Sequence, residues 1–278
     1  MKQKEEIQNK KNSQPDFVKW FSELDKNSGN IAGGKGANLA EIYNLKIQVP
    51  PGFVVTAQAY DYFIERAGIK EKIHELLGRI EYENTEKLDE ITKNIRTFII
   101  DSNMPKEMQN EIIEAYETLD DSGFDAQKGS ILEMLNKTSE AIFVAVRSSS
   151  TAEDLEEASF AGQQESFLNV KGKQDLIKSI KKCFASLFTS RATYYRNKKN
   201  FKQEDTSLAV IVQKMVDSDK SGVIFSKDPT FQNENIIIEA VWGLGEGIVS
   251  GRITPDKYVI SDELEILDKK IADKKIAI

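Results

Sequence analysis

Four stretches of this 278-residue chain carry glycine, hydroxyl or cationic residues, the kinds that anion chemistry uses. The first is Ala32-Gly33-Gly34-Lys35-Gly36-Ala37-Asn38. Glycines let backbone amides approach an anion closely, and a following helix offers the positive end of its dipole. Lys35 adds a mobile cation with the reach to meet a phosphate. The Walker spacing GxxxxGK[ST] is absent, so a plain turn that starts a helix fits the same residues. The second stretch runs from Val146 to Asp154. There Arg147 leaves an apolar strand and meets four consecutive hydroxyl residues, Ser148 to Thr151. A guanidinium so placed needs an anionic partner. Either phosphate oxygens match its planar fork, or an internal carboxylate of Glu153, Asp154, Glu156 or Glu157 pairs with it. Spacing leaves the two open.

The third stretch, Phe160 to Phe167, holds Gly162 and Ser166 and reads as a loop closing over a ligand or as a turn between strands. The fourth, Trp242-Gly243-Leu244-Gly245-Glu246-Gly247, lacks the last glycine of GxGxxG, because position 248 is Ile248. A dinucleotide fingerprint is therefore rejected. His74 and Cys183 are the only histidine and cysteine. His74 sits beside a glutamate in a helical stretch, with a solvated or half-buried structural role. Cys183 follows Ile180 by three and faces the core as a small hydrophobe. The pairs Lys181-Lys182 and Lys198-Lys199 read as solvated helix faces.

The elements that must position these residues follow from periodicity. Residues Met1 to Ser13 form a mixed-charge, Asn/Gln-rich tail with little to bury, expected to be mobile. Val49 to Val55 reads as an extended segment entered through Pro50-Pro51. Ile69, Ile73, Leu76, Leu77 and Ile80 form one helical stripe, and Leu88, Ile91, Ile95, Phe98 and Ile99 another. Asp120 to Gly123 marks a break. Ala141 to Val146 is a continuous apolar run suited to a strand buried on both faces, followed by a second strand at Glu165 to Val170. Leu176 to Tyr195 returns to helix. From Ser207 onward strand signals dominate: SLAVIVQ, SGVIFS, NIIIEAV, KYVI and LEIL. This order predicts an α+β protein with a boundary near Asp205.

Composition excludes several classes. Hydrophobic residues at 40% supply a core, and a net charge of −7 argues against nucleic acid or a membrane surface as partner. One cysteine and one histidine exclude internal disulfides and a zinc constellation. Neither a bilayer-spanning apolar run nor a secretory signal is present, which gives a cytoplasmic expectation.

Five motifs occur together, and in order they resemble one family. These are GGKGANLAEI with VPPGFVVTAQAY, VRSSSTAEDLEEASFAGQQESFLNV, CFASLFTSRATYYR, VIVQKMVDSDKSGVIFSKDP and EAVWGLGEGIVSGRITPDKYVI. They resemble the N-terminal nucleotide-binding part of phosphoenolpyruvate synthases (pyruvate, water dikinases), whose relatives include pyruvate phosphate dikinases and rifampin phosphotransferases. GGKGAN and the Ala-Glu-Asp-Leu stretch fit the water dikinases better than the phosphate dikinases. The resemblance implies an ATP-grasp-like fold, in which two α+β lobes hold ATP and magnesium between them. It also implies site residues: Lys35 and Arg147 match phosphate-contacting cations, Gly162 and Ser166 match nucleotide-contacting loop positions, and Gln213 matches a glutamine on the adenine side. The family often has threonine where Ser166 stands, which keeps the hydroxyl.

The implied organisation is a flexible tail at 1–14, a helix-rich lobe at 15–204 and a strand-rich, C-terminally incomplete second lobe at 205–278. The family's magnesium-binding carboxylates, its phosphoryl-carrying histidine and its pyruvate-binding barrel match no stretch of these 278 residues. The implied parent reaction converts ATP, pyruvate and water to phosphoenolpyruvate, AMP and phosphate through a phosphohistidine, a gluconeogenic step. This stretch alone is expected not to complete it, and pyruvate would be met only through the absent domains. Two rival readings share the motifs: the ATP-binding part of an antibiotic phosphotransferase of the rifampin type, and a nucleotide-binding module without turnover.

Overall fold

The computed structural model describes residues 14–121, 141–151, 165–203, 206–230 and 233–278. The expected N-terminal tail therefore lies, except for Gln14, outside the described residues. The chain divides into two compact units, Met1–Met215 and Val216–Ile278. Each carries its own antiparallel sheet, in keeping with the α+β expectation.

In the first unit the order is β1 (Val18–Trp20), α1 (Gly29–Asn44), β2 (Gly52–Val55), α2 (Ala57–Arg66), α3 (Lys70–Leu77), α4 (Thr85–Asp101) and α5 (Lys106–Asp121). There follow β3 (Phe143–Ser150), β4 (Ser166–Lys171), α6 (Lys173–Ser186), α7 (Ser190–Lys198) and β5 (Leu208–Lys214). The sheet order is β1-β2-β5-β3-β4, so the last strand in sequence is the middle strand in space. It pairs with β2 through Val54↔Ile211 and with β3 through Arg147↔Ile211. The expected boundary near Asp205 differs from this arrangement. SLAVIVQ reads locally like the strands after it, yet β5 completes the first sheet, and the first unit extends to Met215.

Alternation along the strands separates two cores. Phe53, Val55, Val144, Val146, Leu208, Val210 and Val212 face a large cluster with α2 to α6. Val54, Ala209 and Ile211 point the other way and pack on Ala32 and Ala40 of α1. Both faces are covered, hence the continuous apolar runs.

Three local expectations are modified. The strand predicted over 141–146 runs instead from Phe143 to Ser150, because the three serines are buried with hydrogen-bond partners rather than left as a polar exit. The helix predicted over 176–195 is two helices, since Thr189 caps α7 by accepting from the Ala192 N–H at 3.2 Å. On α4 the buried stripe is Leu88, Thr92, Ile95 and Ile99, and Phe98 stands 40% exposed. Thr92 tolerates the core because its hydroxyl donates to the Leu88 carbonyl at 2.7 Å. Lys181 is also more than a solvated face. Its ammonium reaches the carbonyls of Ile100 and Ser102, closing the negative end of α4.

Thr193 is fully buried, and among the described residues its hydroxyl is the one buried side-chain polar atom without a hydrogen-bond partner. Thr193→Val keeps the shape and removes the unpaired group. It is expected to raise stability by about 1 kcal/mol, read as a higher urea midpoint at unchanged slope. A lowered midpoint would show that the hydroxyl is bonded in solution.

The second unit is a meander of β6 (Lys220–Phe225), β7 (Ile236–Trp242), β8 (Asp256–Ile260) and β9 (Ile266–Lys270), with one helical turn, α8 (Glu246–Val249), after β7. The glycine stretch at Trp242 is explained by packing. Gly243 adopts φ +76°, and a Cβ there would lie 2.3 Å from the Ile278 carbonyl oxygen. The adjacent Leu244 N–H donates to that same oxygen at 2.7 Å. An ion pair between Lys274 and Asp256 fastens this terminal segment to β8, and it holds the Asp256 carboxyl below the usual carboxylate range. No helix among the described residues is long and apolar enough to cross a membrane.

Candidate functional site

The Gly-Lys turn and the Arg-Ser strand, 112 positions apart as Lys35 and Arg147, meet at one place on the first sheet. Helix α1 is broken at Gly33, which takes φ +65° and ψ 171°. That conformation lies in a region reserved almost entirely for glycine. A Cβ on Gly33 would lie 2.3 Å from the Ser149 carbonyl oxygen and 2.4 Å from its hydroxyl. The turn therefore lies directly on β3. Three residues on, the Gly36 N–H donates to Ser149 Oγ at 3.0 Å, so an amide at the start of the second helical segment is satisfied by the strand. Between these anchors Lys35 extends along β3, its Nζ 3.5 Å from the Ser148 carbonyl oxygen.

Arg147 lies inside β3 rather than at its end, with Ile211 opposite on one side and Ser166 on the other. Since Ile211 and Ala209 face α1, the same pleat directs Arg147 and Ser149 to the α1 side. The guanidinium is half-buried, and among the described residues it makes no hydrogen bond or ion pair. Of the two partners the sequence left open, the internal carboxylates Glu153, Asp154, Glu156 and Glu157 fall outside the described residues. Ser166 opens β4, exposed and cross-strand from Arg147. Gln213 is 9% exposed on β5, opposite Gly52 and Ala145, and its Nε2 donates to the Pro50 carbonyl at 3.0 Å. Its register sets it on the α1 face two residues after Ile211. One face of the sheet thus presents Arg147, Ser166 and Gln213, and α1 lays Lys35 along it. Gly162 lies outside the described residues.

Other candidates have structural roles. Cys183 is completely buried, with Sγ 3.7 Å from the Val146 carbonyl, and desolvation pushes its thiol pKa well up, so it is no nucleophile. His74 is exposed on α3. Arg196, which sequence reasoning passed over inside CFASLFTSRATYYR, is only 1% exposed. Its Nε donates to Gln203 Oε1 at 2.7 Å, its Nη2 donates to the Leu187 carbonyl at 2.6 Å, and burial lowers its pKa to about 10. Among the described residues no group of three or more His, Cys, Asp and Glu side chains is arranged to hold a metal ion.

Residues 29–278 match the family model of the pyruvate phosphate dikinase AMP/ATP-binding domain. Similar curated proteins include the probable phosphoenolpyruvate synthase of Methanocaldococcus jannaschii, 45% identical over 97% of this chain and 22% of that protein. The probable phosphoenolpyruvate synthase of Archaeoglobus fulgidus is 47% identical over 93% of this chain and 32% of its own length. The phosphoenolpyruvate synthase of Pyrococcus furiosus is 42% identical over 94% of this chain and 34% of its own length. The chain spans between a fifth and about a third of these relatives. With the glycine turn, the arginine strand and the surrounding sheet all inside the matched range, the chain belongs to the pyruvate phosphate dikinase AMP/ATP-binding domain family.

Proposed function

We propose that this chain is the ATP-binding part of a phosphoenolpyruvate synthase, and that the α1 face of the first sheet takes the nucleotide phosphates. The observation that carries the reading is Arg147. A half-buried guanidinium without a described partner, in the middle of a strand, is costly unless an anion meets it. Its planar fork matches two phosphate oxygens, and Lys35 adds a point charge one strand residue away. Docking of Gly33 and Gly36 on Ser149 fixes the backbone on both sides of Lys35, so little order is left to impose when a ligand arrives. Ser166 supplies a hydroxyl beside Arg147, and Gln213, held by Pro50, serves the base. Gly162 joins the site by the family resemblance.

In the whole reaction ATP, pyruvate and water give phosphoenolpyruvate, AMP and phosphate, with a histidine carrying the phosphoryl group. That histidine and the pyruvate site would belong to the part of the relatives' length that these residues do not match. An ATP-grasp arrangement, a magnesium ion held by carboxylates in the part of the relatives' length that these residues do not match, and a gluconeogenic role in the cytoplasm complete the proposal. The relatives' names favour this over an antibiotic phosphotransferase.

The test is titration calorimetry with ATP, starting at millimolar nucleotide. Arg147→Ala is expected to weaken binding by about 1.5–3 kcal/mol, and Arg147→Lys by less, with melting temperatures near that of the parent. Unchanged affinity together with a sharply lowered melting temperature would assign Arg147 to an internal ion pair and overturn the reading.

A further inference from the structure

The opposite face of the same sheet holds a cavity of about 570 Å³, between α2, α3 and the segment leading into β5. Tyr60, Ile64 and Phe188, which line it, belong to or border the core on the face away from α1. It is therefore distinct from the Lys35 and Arg147 face.

Its walls are of two kinds. Ile64, Leu77 and Phe188 form an apolar side, and Tyr60 lines the cavity with them. Tyr60 is 5% exposed, and among the described residues its hydroxyl makes no hydrogen bond. Burial raises its pKa, so it remains a neutral phenol. A hydroxyl without a partner, on a nearly buried side chain that lines a cavity, is a group prepared for a ligand atom. Beside it stands Asp61, whose Oδ1 accepts from Ser207 Oγ at 2.8 Å. Glu65 and Glu71 add two carboxylates at the rim, where Lys70 is the one lysine or arginine among the lining residues. Arg196 is not among the lining residues; its guanidinium lies 5.9 Å from the Phe188 ring centroid, behind that wall, and its donors engage Gln203 and the Leu187 carbonyl.

An aromatic and aliphatic pocket with an acidic mouth favours a positive head on an apolar body, through carboxylate attraction at the mouth and apolar contact within. We propose that this cavity binds a compact organic cation, an aryl- or alkylammonium, whose N–H groups meet Tyr60 Oη and the Asp61 carboxylate while its body lies against Ile64, Leu77 and Phe188. Phosphorylated or carboxylated ligands are repelled at the same mouth. The site is separate from the nucleotide and does not depend on its identity.

The experiment uses two probes of similar shape and opposite charge, phenethylammonium and 3-phenylpropionate, followed by backbone amide shifts of the whole chain. The ammonium should give saturable shifts in α2 and α3 with a dissociation constant near or below about 1 mM, and the carboxylate should bind about tenfold more weakly. Tyr60→Phe and Asp61→Asn, both nearly isosteric, should each weaken the ammonium several-fold while melting temperatures stay close to that of the parent. Equal binding of both probes, undiminished binding in both variants, or no saturable shift at about 50 mM probe would overturn the proposal.

Discussion

Gly33→Ala is expected to lower stability by about 3–5 kcal/mol and to abolish nucleotide binding with it. Two effects add. The φ +65°, ψ 171° backbone of Gly33 is closed to a residue with a Cβ. The new methyl would also lie 2.3 Å from the Ser149 carbonyl oxygen and 2.5 Å from its carbon, atoms of a central strand that cannot turn aside. The helix must then lift from β3, which withdraws the Gly36 bond to Ser149 and carries Lys35 away from the sheet. Chemical unfolding with a parallel ATP titration reads both parts. A variant that keeps parental stability would mean that the turn relaxes freely, and that Ser149 is not the anchor described here.

Arg196→Ala should cost about 3–4 kcal/mol, because it empties a large, fully buried volume and leaves Gln203 Oε1 and the Leu187 carbonyl without their donor. Arg196→Met should cost only about 1–2 kcal/mol, since methionine refills much of the space and removes a desolvated charge. The sign of that charge effect follows from the lowered pKa. The folded form loses its proton near pH 10, well below an ordinary arginine, so the unfolded chain binds the proton more tightly. The charge therefore opposes folding at every pH below about 10, and its cost is relieved only as pH rises from there towards the ordinary arginine range. Equal losses in the two variants, measured by denaturant unfolding, would show that the hydrogen bonds outweigh the volume.

Much of this was legible from spacing. The continuous apolar run from Ala141 to Val146 announced a strand covered on both faces, SLAVIVQ announced another strand, and Ile69, Ile73 and Leu76 faced the core as their period required. Glycine at 33 and 36 beside a lysine marked a turn made for close approach, and Ser149 turned out to be what it approaches. Other features had no local signal. Phe98 is as apolar as Ile99, and only the exact rotation of α4 leaves it in solvent. The serines after Arg147 read as an exit from the strand because their partners, Gly36 and the Glu165 carbonyl, come from distant segments. Arg196 looks like any surface cation until Leu187 and Gln203 close around it. The placement of β5 was hidden for the same reason: a strand's own residues do not name its neighbours.

That placement has a consequence for how the molecule comes into being. β2 and β3 are each hydrogen-bonded to β5 and not to one another, so until residues 208–214 arrive the earlier chain holds only two separate hairpin-like pairs. A ribosome would release nearly the whole first unit before its sheet could close. The contacts formed last join positions as remote as Gly52 and Gln213, a topology that makes assembly slow. Chains halted before Leu208 should accordingly remain open to proteases and chaperones, and a few further residues of synthesis should end that vulnerability at a single step.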